Sequence, residues 1–390
     1  MDLIIVVWFI FAGIFFGVSG MYYLYMKKMS TKPWNLNIID GYQPSVAILV
    51  PVHNEEKTIR LKLQNLSKLD YPTDKIDTVI VNDASTDSTL NEIYAFKAQN
   101  PSLLKIKVFD SKEHFGKTEC LNRALKSVNA DVLIISDADC FLPSDILQKA
   151  LPYLSDANVG AITARELLLN PHSSWVTRSE QYYNSTIQAI RIGESKTHST
   201  IVFQGGFAAF KREFLQEFNR ETDDSGTALD IIQKNGRTLL LPETGFYTTA
   251  PSIWKNKVTL KIRRAGHLQH LWAKCVALLL KGRLVLPKKI AIPEMFLHLF
   301  NPLLFVVLVV LSALVFIQYP LLLLVFLPAI GLLSLVTSTR ITMIETLQNN
   351  LILLVSLFSF FSNKRFILWT TVQESRFLLT EELLKAKHLI

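Results

Sequence analysis

The polarity of the chain changes along its length in a way that predicts its organisation. Residues 3–25 are almost wholly apolar and are followed by Lys27, Lys28 and Lys32. Charged residues are then spread through 45–290, and apolar density returns at 301–318, 320–337 and 351–361. A bilayer-spanning helix needs about 20 apolar residues. The runs 3–25, 301–318 and 320–337 therefore each predict a membrane helix, whereas 351–361 is short and is expected to be re-entrant or interfacial. The first run is too long for a signal-peptide core and lacks a clear small-residue cleavage site. Its basic flank places the middle region of the chain in the cytoplasm. Two later crossings would return Arg340 to that side, and a third would put Lys364 and Arg365 outside, against the positive-inside tendency.

Shorter patterns organise the middle region. Residues 46–50 form a continuous apolar run, as in a parallel strand covered on both faces. Runs at 76–81, 104–109 and 131–135 predict three more strands. Asn54 is positioned to cap a helix with Glu55 and Glu56 in its first turn. Further helices are expected from about Ser88 and from Gly116-Lys117. The order β-α-β-α-β-α-β predicts an α/β doubly wound sheet. Ligands of such sheets bind at the carboxyl ends of the strands, where Asn54-Glu55, Asp83, Lys117 and Asp137-Ala138-Asp139 all fall.

Composition adds bounds. The 390 residues leave room for a domain of about 250 residues plus further segments. The three cysteines, Cys120, Cys140 and Cys275, have no paired spacing and read as reduced thiols. The net charge of +8 is uneven, because residues 255–289 hold ten Lys or Arg and no acid. Beside membrane helices such a stretch fits anionic headgroups or a substrate phosphate better than nucleic acid. The stretch 268–284 reads as an amphipathic interfacial segment. The expected organisation is a membrane helix at 1–28, a catalytic domain at 45–254, a basic interfacial segment at 255–290, membrane helices at 291–362 and a tail at 363–390.

Asp137 and Asp139, one residue apart at a strand end, form a hard oxygen site suited to Mg2+ or Mn2+ carrying a diphosphate. With Pro51-Val52-His53-Asn54-Glu55-Glu56, Asn82-Asp83-Ala84-Ser85-Thr86-Asp87, Gly116-Lys117 and Leu121-Asn122, this pair resembles the nucleotide-sugar domain of family 2 glycosyltransferases. The resemblance covers about 45–250 and implies a Rossmann-like fold of the glycosyltransferase A type. The membrane layout is similar to that of the hyaluronan, chitin, cellulose and poly-N-acetylglucosamine synthase group.

By that resemblance Asp139 is a metal ligand, Asp137 supports the metal or ribose, Glu55 meets the ribose, Asp83 the base, and Lys117 the base or diphosphate. Bland readings stand beside these: Glu55 as a first-turn helix acid, Asp83 as a turn former, Lys117 as a solvated surface lysine. Thr222-Asp223-Asp224 resembles the family's base motif, with Asp224 in the base position and Asp223 where the family has Glu. Either carboxylate can serve, and both can simply cap the following helix. Gly205 and Gly206 resemble the acceptor-side loop, although a simple tight turn also fits. The synthases' Gln-x-x-Arg-Trp is altered to Lys261-Ile262-Arg263-Arg264-Ala265. Arg263 and Arg264 can bind diphosphate or lipid headgroups, but the aromatic ring is missing, which argues against long-chain processivity.

The expected activity is inverting transfer of a hexosyl or N-acetylhexosaminyl group from a nucleotide sugar, UDP-linked, to a glycan acceptor. A polyprenyl-phosphate or other lipid acceptor is the alternative. Nucleotidyl transfer and an inactive membrane scaffold are the competing classes. The expected location is the plasma membrane of a prokaryote, with the catalytic domain cytosolic.

Overall fold

The computed structural model describes residues 2–101, 103–361 and 373–390. In chain order its elements are α1 (Leu3–Ser30), β1 (Val46–Val52), α2 (Ile59–Leu66), β2 (Ile76–Asp83), α3 (Thr89–Gln99), β3 (Ile106–Ser111), α4 (Lys117–Leu125), β4 (Val132–Ile135) and α5 (Ile146–Ala150). Then come β5 (Val159–Leu168), α6 (Trp175–Thr197), β6 (Ala208–Lys211), α7 (Ser225–Gln233), β7 (Arg237–Thr248), α8 (Trp254–Leu280) and α9 (Lys288–Met295). The last helices are α10 (Asn301–Gln318), α11 (Leu323–Leu335), α12 (Thr337–Phe361), α13 (Gln373–Phe377) and α14 (Glu381–Lys385). The described residues divide into two units: 2–29, 174–190 and 252–361 form one, and 30–101, 103–173, 191–251 and 373–390 the other.

The second unit is built on a seven-stranded sheet of order β3-β2-β1-β4-β6-β5-β7. Every residue of β1 is buried, which explains its continuous apolar run. Alternation along the strands feeds two cores. Ile48, Val50, Ile80, Val132 and Ile134 meet α2, α3 and α5 through Ile59, Leu63, Ile93, Phe96 and Leu147. Ala47, Leu49, Val81, Leu133 and Ile135 meet α4 and α7 through Leu121, Ala124, Ala228 and Ile231. Each fully buried aliphatic side chain contributes roughly 1.5–3 kcal/mol.

Strands β3, β2, β1 and β4 run parallel, as the doubly wound expectation requires. Strand β6 departs from it, pairing antiparallel with both β4 and β5. Because Ile135 of β4 pairs with Ala208 of β6, the residues entering β6 lie beside those leaving β4. That reversal sets Gly205 and Gly206 against Ser136 and Asp137.

The other unit is helical. By length and composition Leu3–Ser30, Lys288–Gln318 and Thr337–Ser359 are each sufficient to cross a membrane, and Pro320–Leu335 is shorter. Trp8 and Phe15 of α1 pack with Leu308 and Val315 of α10, and Trp8 Nε1 donates to Ser312 Oγ at 2.8 Å. Val306, Val309, Val310 and Ile317 on α10 remain exposed, as expected for a surface solvated by lipid.

Two expectations change here. The run 320–337 is not a full-length span, because the chain leaves helical geometry at Val336, before α12 begins. The run 351–361 is not a separate short segment but the second half of α12. The polar residues Thr337 to Arg340 form the first turn of α12, and Thr342 Oγ1 bonds back to the Ser338 carbonyl. Lys364 and Arg365 lie outside the described residues.

Polar residues of α12 are matched within its own unit. Glu345 pairs with Lys257 at 2.6 Å and Lys261 at 3.2 Å. Glu180 of α6 accepts the same two lysines at 3.2 and 3.0 Å. Asn350 accepts from Asn301, and Gln348 accepts from Trp254 Nε1. The four charged side chains of the quartet are between 3% and 11% exposed, so the stakes of breaking it are high. Lys257→Met should cost about 3–5 kcal/mol, since it leaves a buried carboxylate uncompensated. The check is thermal unfolding in detergent. The double variant Lys257→Met/Glu345→Leu should recover most of the loss, and a single variant as stable as wild type would show that the quartet contributes nothing.

Candidate active site

The central position of β1 brings the candidate residues together. It pairs with β2 on one side and β4 on the other, with Val52 opposite Asn82 and Leu49 opposite Ile135. The carboxyl ends of the three strands therefore carry Glu55, Asp83, Asp137 and Asp139 to one edge of the sheet. The loop after β1 is not the helix cap expected. Asn54 adopts φ +56°, a left-handed conformation that Asn tolerates better than most residues. Its side-chain oxygen accepts from Thr86 N at 2.8 Å, and Glu55 N donates to Thr89 Oγ1. The helix begins only at Ile59. Glu55 is consequently a buried acid within the site and not a first-turn surface acid.

Asp83 organises the entry to α4. Its Oδ1 accepts from Phe115 N at 2.8 Å and from Cys120 Sγ, and its Oδ2 accepts from Gly116 N at 2.9 Å. His114 Nδ1 lies 3.0 Å from Oδ2. These partners take up the roughly four acceptor positions of a carboxylate. His53 Nδ1 donates to the Asp83 carbonyl at 2.6 Å, and the two imidazoles stack with centroids 4.2 Å apart. The sequence reading missed this histidine pair, although His53 adjoins the motif it used.

Lys117 is not a solvated surface lysine. Its ammonium lies 2.8 Å from Asp137 Oδ1 and 2.8 Å from Asp223 Oδ2. Neither carboxylate oxygen has a well-aligned hydrogen bond, so these contacts act as ion pairs. Burial pulls the Lys117 pKa down, but the charges of Asp137, Asp223 and Asp224 outweigh it and hold the ammonium protonated well above its usual range. Asp137 moves up, chiefly by desolvation against the opposing pull of Lys117. Asp224 caps α7 by accepting from Ser225 N. Desolvation and the neighbouring Asp223 charge push Asp224 up to about 7. The cap and the perturbed carboxylate are thus properties of one residue, and the two readings do not exclude each other.

Gly205 and Gly206 are required sterically. The Gly205 carbonyl accepts from Asp137 N at 2.9 Å. A Cβ on Gly205 would come within 2.5 Å of Asp137 Oδ2 and 3.0 Å of Lys117 Nζ. One on Gly206 would overlap the Phe246 ring at 2.1 Å. The structure thus sets Gly205 against the carboxylate cluster.

Two further cations escaped the sequence reading. Lys62 is fully buried, and its ammonium donates to Ser136 Oγ at 2.7 Å and to the Cys140 carbonyl. Ser136 Oγ donates in turn to the Gly206 carbonyl at 2.7 Å. Burial lowers the Lys62 pKa to about 8, with Cys140, Asp137 and Asp139 opposing. The available signal was a lysine on the apolar face marked by Ile59, Leu63 and Leu66. Arg376 pairs with Asp139 Oδ2 at 2.7 Å and Glu55 Oε1 at 2.6 Å. It is 321 residues from Glu55 in sequence, and no local pattern marks it. Burial pushes the Asp139 pKa up, but Arg376, its own backbone N–H, Cys140 and Lys62 together outweigh burial and hold it below the usual range. Glu55 stays raised, because desolvation exceeds the help from Arg376.

The donor set fits a hard divalent cation. One ligand atom each from Asp137, Asp139 and Cys140 lie within 4.8 Å of one another. Asp137 and Asp139 supply oxygens of the kind Mg2+ and Mn2+ favour. Burial and the two neighbouring carboxylates raise the Cys140 thiol pKa well above its usual range, and its soft sulfur suits Mg2+ or Mn2+ less well than the carboxylate oxygens do. Arg263, half-buried, and Arg264, exposed, lie on α8 of the helical unit. Lys261 belongs to the ion quartet there, and Ala265 is buried.

The chain is similar to known glycosyltransferases. Residues 47–218 match the family model for glycosyl transferase family 2. A beta-monoglucosyldiacylglycerol synthase from Synechocystis sp. is 33% identical over 137 residues, which are 35% of this chain and 28% of that protein. A poly-beta-1,6-N-acetyl-D-glucosamine synthase from Staphylococcus epidermidis is 25% identical over 285 residues, covering 67% of this chain and 65% of its own length. The chain thus spans less than a third of the first relative and about two thirds of the second. A solved mannosyltransferase, PcManGT from Pyrobaculum calidifontis in complex with GDP-Man and Mn2+, is similar over 93% of this chain and all of its own, with a TM-score of 0.78 and 28% identity. On its mixed seven-stranded sheet of the glycosyltransferase A type, the chain carries a glycosyltransferase family 2 domain.

Proposed function

We propose that this chain is a membrane-bound inverting glycosyltransferase that moves one sugar from a nucleoside diphosphate sugar to an acceptor hydroxyl. The observation that carries the reading is the linked cluster of Asp137, Lys117, Asp223 and Asp224 beside Asp139. It sets a cation-binding carboxylate pair next to a carboxylate suited to take a proton. Asp137 and Asp139 would hold Mg2+ or Mn2+. The ion would supply Lewis-acid stabilisation of the leaving diphosphate.

Asp224 takes the proton of the acceptor hydroxyl as its oxygen attacks the anomeric carbon opposite the diphosphate. A base whose pKa lies near the working pH combines availability with driving force, and about 7 for Asp224 meets that condition. Lys117 holds Asp223 and Asp137 in place. Asp83 and His114 fix the loop that leads into α4, and with it the base-side wall. Arg263 and Arg264 of α8 would offer positive charge to lipid headgroups.

A lipid-linked acceptor is favoured over an elongating glycan. Where the processive synthases have Gln and Trp, this chain has Lys261, engaged by Glu180 and Glu345, and the buried Ala265. No aromatic ring is offered at that position for stacking on a sugar. The likeness to a glucosyldiacylglycerol synthase supports this reading, whereas the poly-N-acetylglucosamine synthase likeness supports the glycan. Lys27 and Lys28 in the last turn of α1 support a cytosolic catalytic domain by the positive-inside tendency.

Detergent-purified protein with Mn2+, native lipids and GDP-Man, UDP-Glc or UDP-GlcNAc should release free nucleoside diphosphate. Pyrophosphate would instead indicate nucleotidyl transfer, and no release from any donor would sink the enzyme reading. Asp139→Ala should abolish Mn2+-dependent donor binding. Asp224→Asn should retain that binding and lower turnover about 10²–10⁴-fold. Equal loss of binding in both variants would refute this division of roles. Turnover should rise with pH, because the base must be deprotonated, with an apparent pKa at or below about 7. The shift is downward when the cation is bound, since Asp137 is among the charges that raise Asp224. A rate that falls through this range would exclude Asp224 as the base.

A further inference from the structure

Segment 373–390 delivers a cation into the candidate donor site. Leu379, Leu384 and Leu389 are buried in one cluster with Phe141 and Leu169. Asn65 Nδ2 donates to the Leu389 carbonyl at 2.7 Å and to the Leu142 carbonyl at 2.8 Å. On the other flank the Lys57 ammonium lies 3.6 Å from the Phe377 ring centroid. Packing on both sides therefore fixes where Arg376 sits. Phe141, which anchors the segment, is two residues beyond Asp139, so the carboxylate turn and the segment share one packing unit.

The guanidinium is divided between two acids. Its Nη2 and Nε face Glu55 at 2.6–3.2 Å, and Nη1 alone reaches Asp139, at 2.7 Å. The Glu55 side chain is fully buried and, among the described residues, has one other side-chain partner, Thr58 Oγ1 at 2.7 Å. Glu55 therefore needs the arginine, because an unpaired buried carboxylate is costly. Asp139 has an alternative, namely the divalent ion its pairing with Asp137 suits. A guanidinium and a divalent ion on one carboxylate repel each other. The fork geometry of arginine lets it keep Glu55 while it releases Asp139.

We propose that Arg376 is a resident cation of the donor site: it neutralises Asp139 while the site is empty and yields that carboxylate when a divalent cation enters. This rests on the metal-dependent transferase reading above. The segment then tunes the apparent metal affinity. A competitor that occupies Asp139 for most of the time raises the apparent dissociation constant by the reciprocal of the open fraction.

The test is titration of MnCl2 alone into the full detergent-solubilised chain, followed by calorimetry and by Mn2+ electron paramagnetic resonance. Arg376→Gln should bind Mn2+ about tenfold or more tightly than wild type, with Arg376→Lys intermediate and Asp139→Asn not binding. Unchanged or weaker binding by Arg376→Gln, with Asp139→Asn still defective, would overturn the competition and leave the metal site standing. Absence of Mn2+ binding in every variant, wild type included, would overturn both. A second measurement needs no variant: deuterium uptake at residues 373–378 of the wild type should rise on adding Mn2+. Uptake that stays constant while Mn2+ binds would also refute the proposal.

Discussion

One ammonium, that of Lys117, lies 2.8 Å from both Asp137 and Asp223, and it permits the rest of the site to exist. Two like charges about 4 Å apart repel by roughly 4 kcal/mol at the effective dielectric of a protein surface. The strand ends bring Glu55, Asp137 and Asp139 together and the N-terminus of α7 adds Asp223 and Asp224, so the cluster needs compensating cations. Lys117, Lys62 and Arg376 supply three positive charges against these five acids. The cluster therefore remains short of neutrality, which is the electrostatic condition for attracting a divalent ion. Burial, with the neighbouring Asp223 charge, raises the Asp224 pKa to about 7.

The compensation depends on the sheet. Only because β6 runs antiparallel beside β4 can Gly205 approach Asp137 and Lys117 closely enough to close one wall. The glycines are thus part of the electrostatic arrangement. They admit backbone where a side chain would displace a carboxylate. Lys62 works from beneath, through Ser136 to the Gly206 carbonyl, and ties α2, β4 and the turn before β6 into one piece.

What the sequence revealed depended on local signals. The four parallel strands were legible because each is a short apolar run ending in a polar cluster, and β1 is buried throughout. Asp137, Asp139, Lys117 and Asp224 were legible because the chemistry of each matches a motif within a few residues. The reversed β6 was not, since strand direction leaves no mark in a four-residue run. Arg376 was not, since its partners lie hundreds of residues away and tertiary packing alone positions it. The continuity of α12 was obscured by its polar residues, whose partners Lys257, Lys261 and Trp254 belong to α8.

That last arrangement gives the chain an order of assembly. A helix carrying Glu345, Gln348, Asn349 and Asn350 partitions poorly into lipid by itself, because each polar group lost from water without a partner opposes insertion. Helix α8 precedes α12 in synthesis, so Lys257 and Lys261 are already available when Glu345 emerges. Insertion of α12 into a bilayer would then be a templated event, in which an earlier helix supplies the counter-charges that the bilayer cannot.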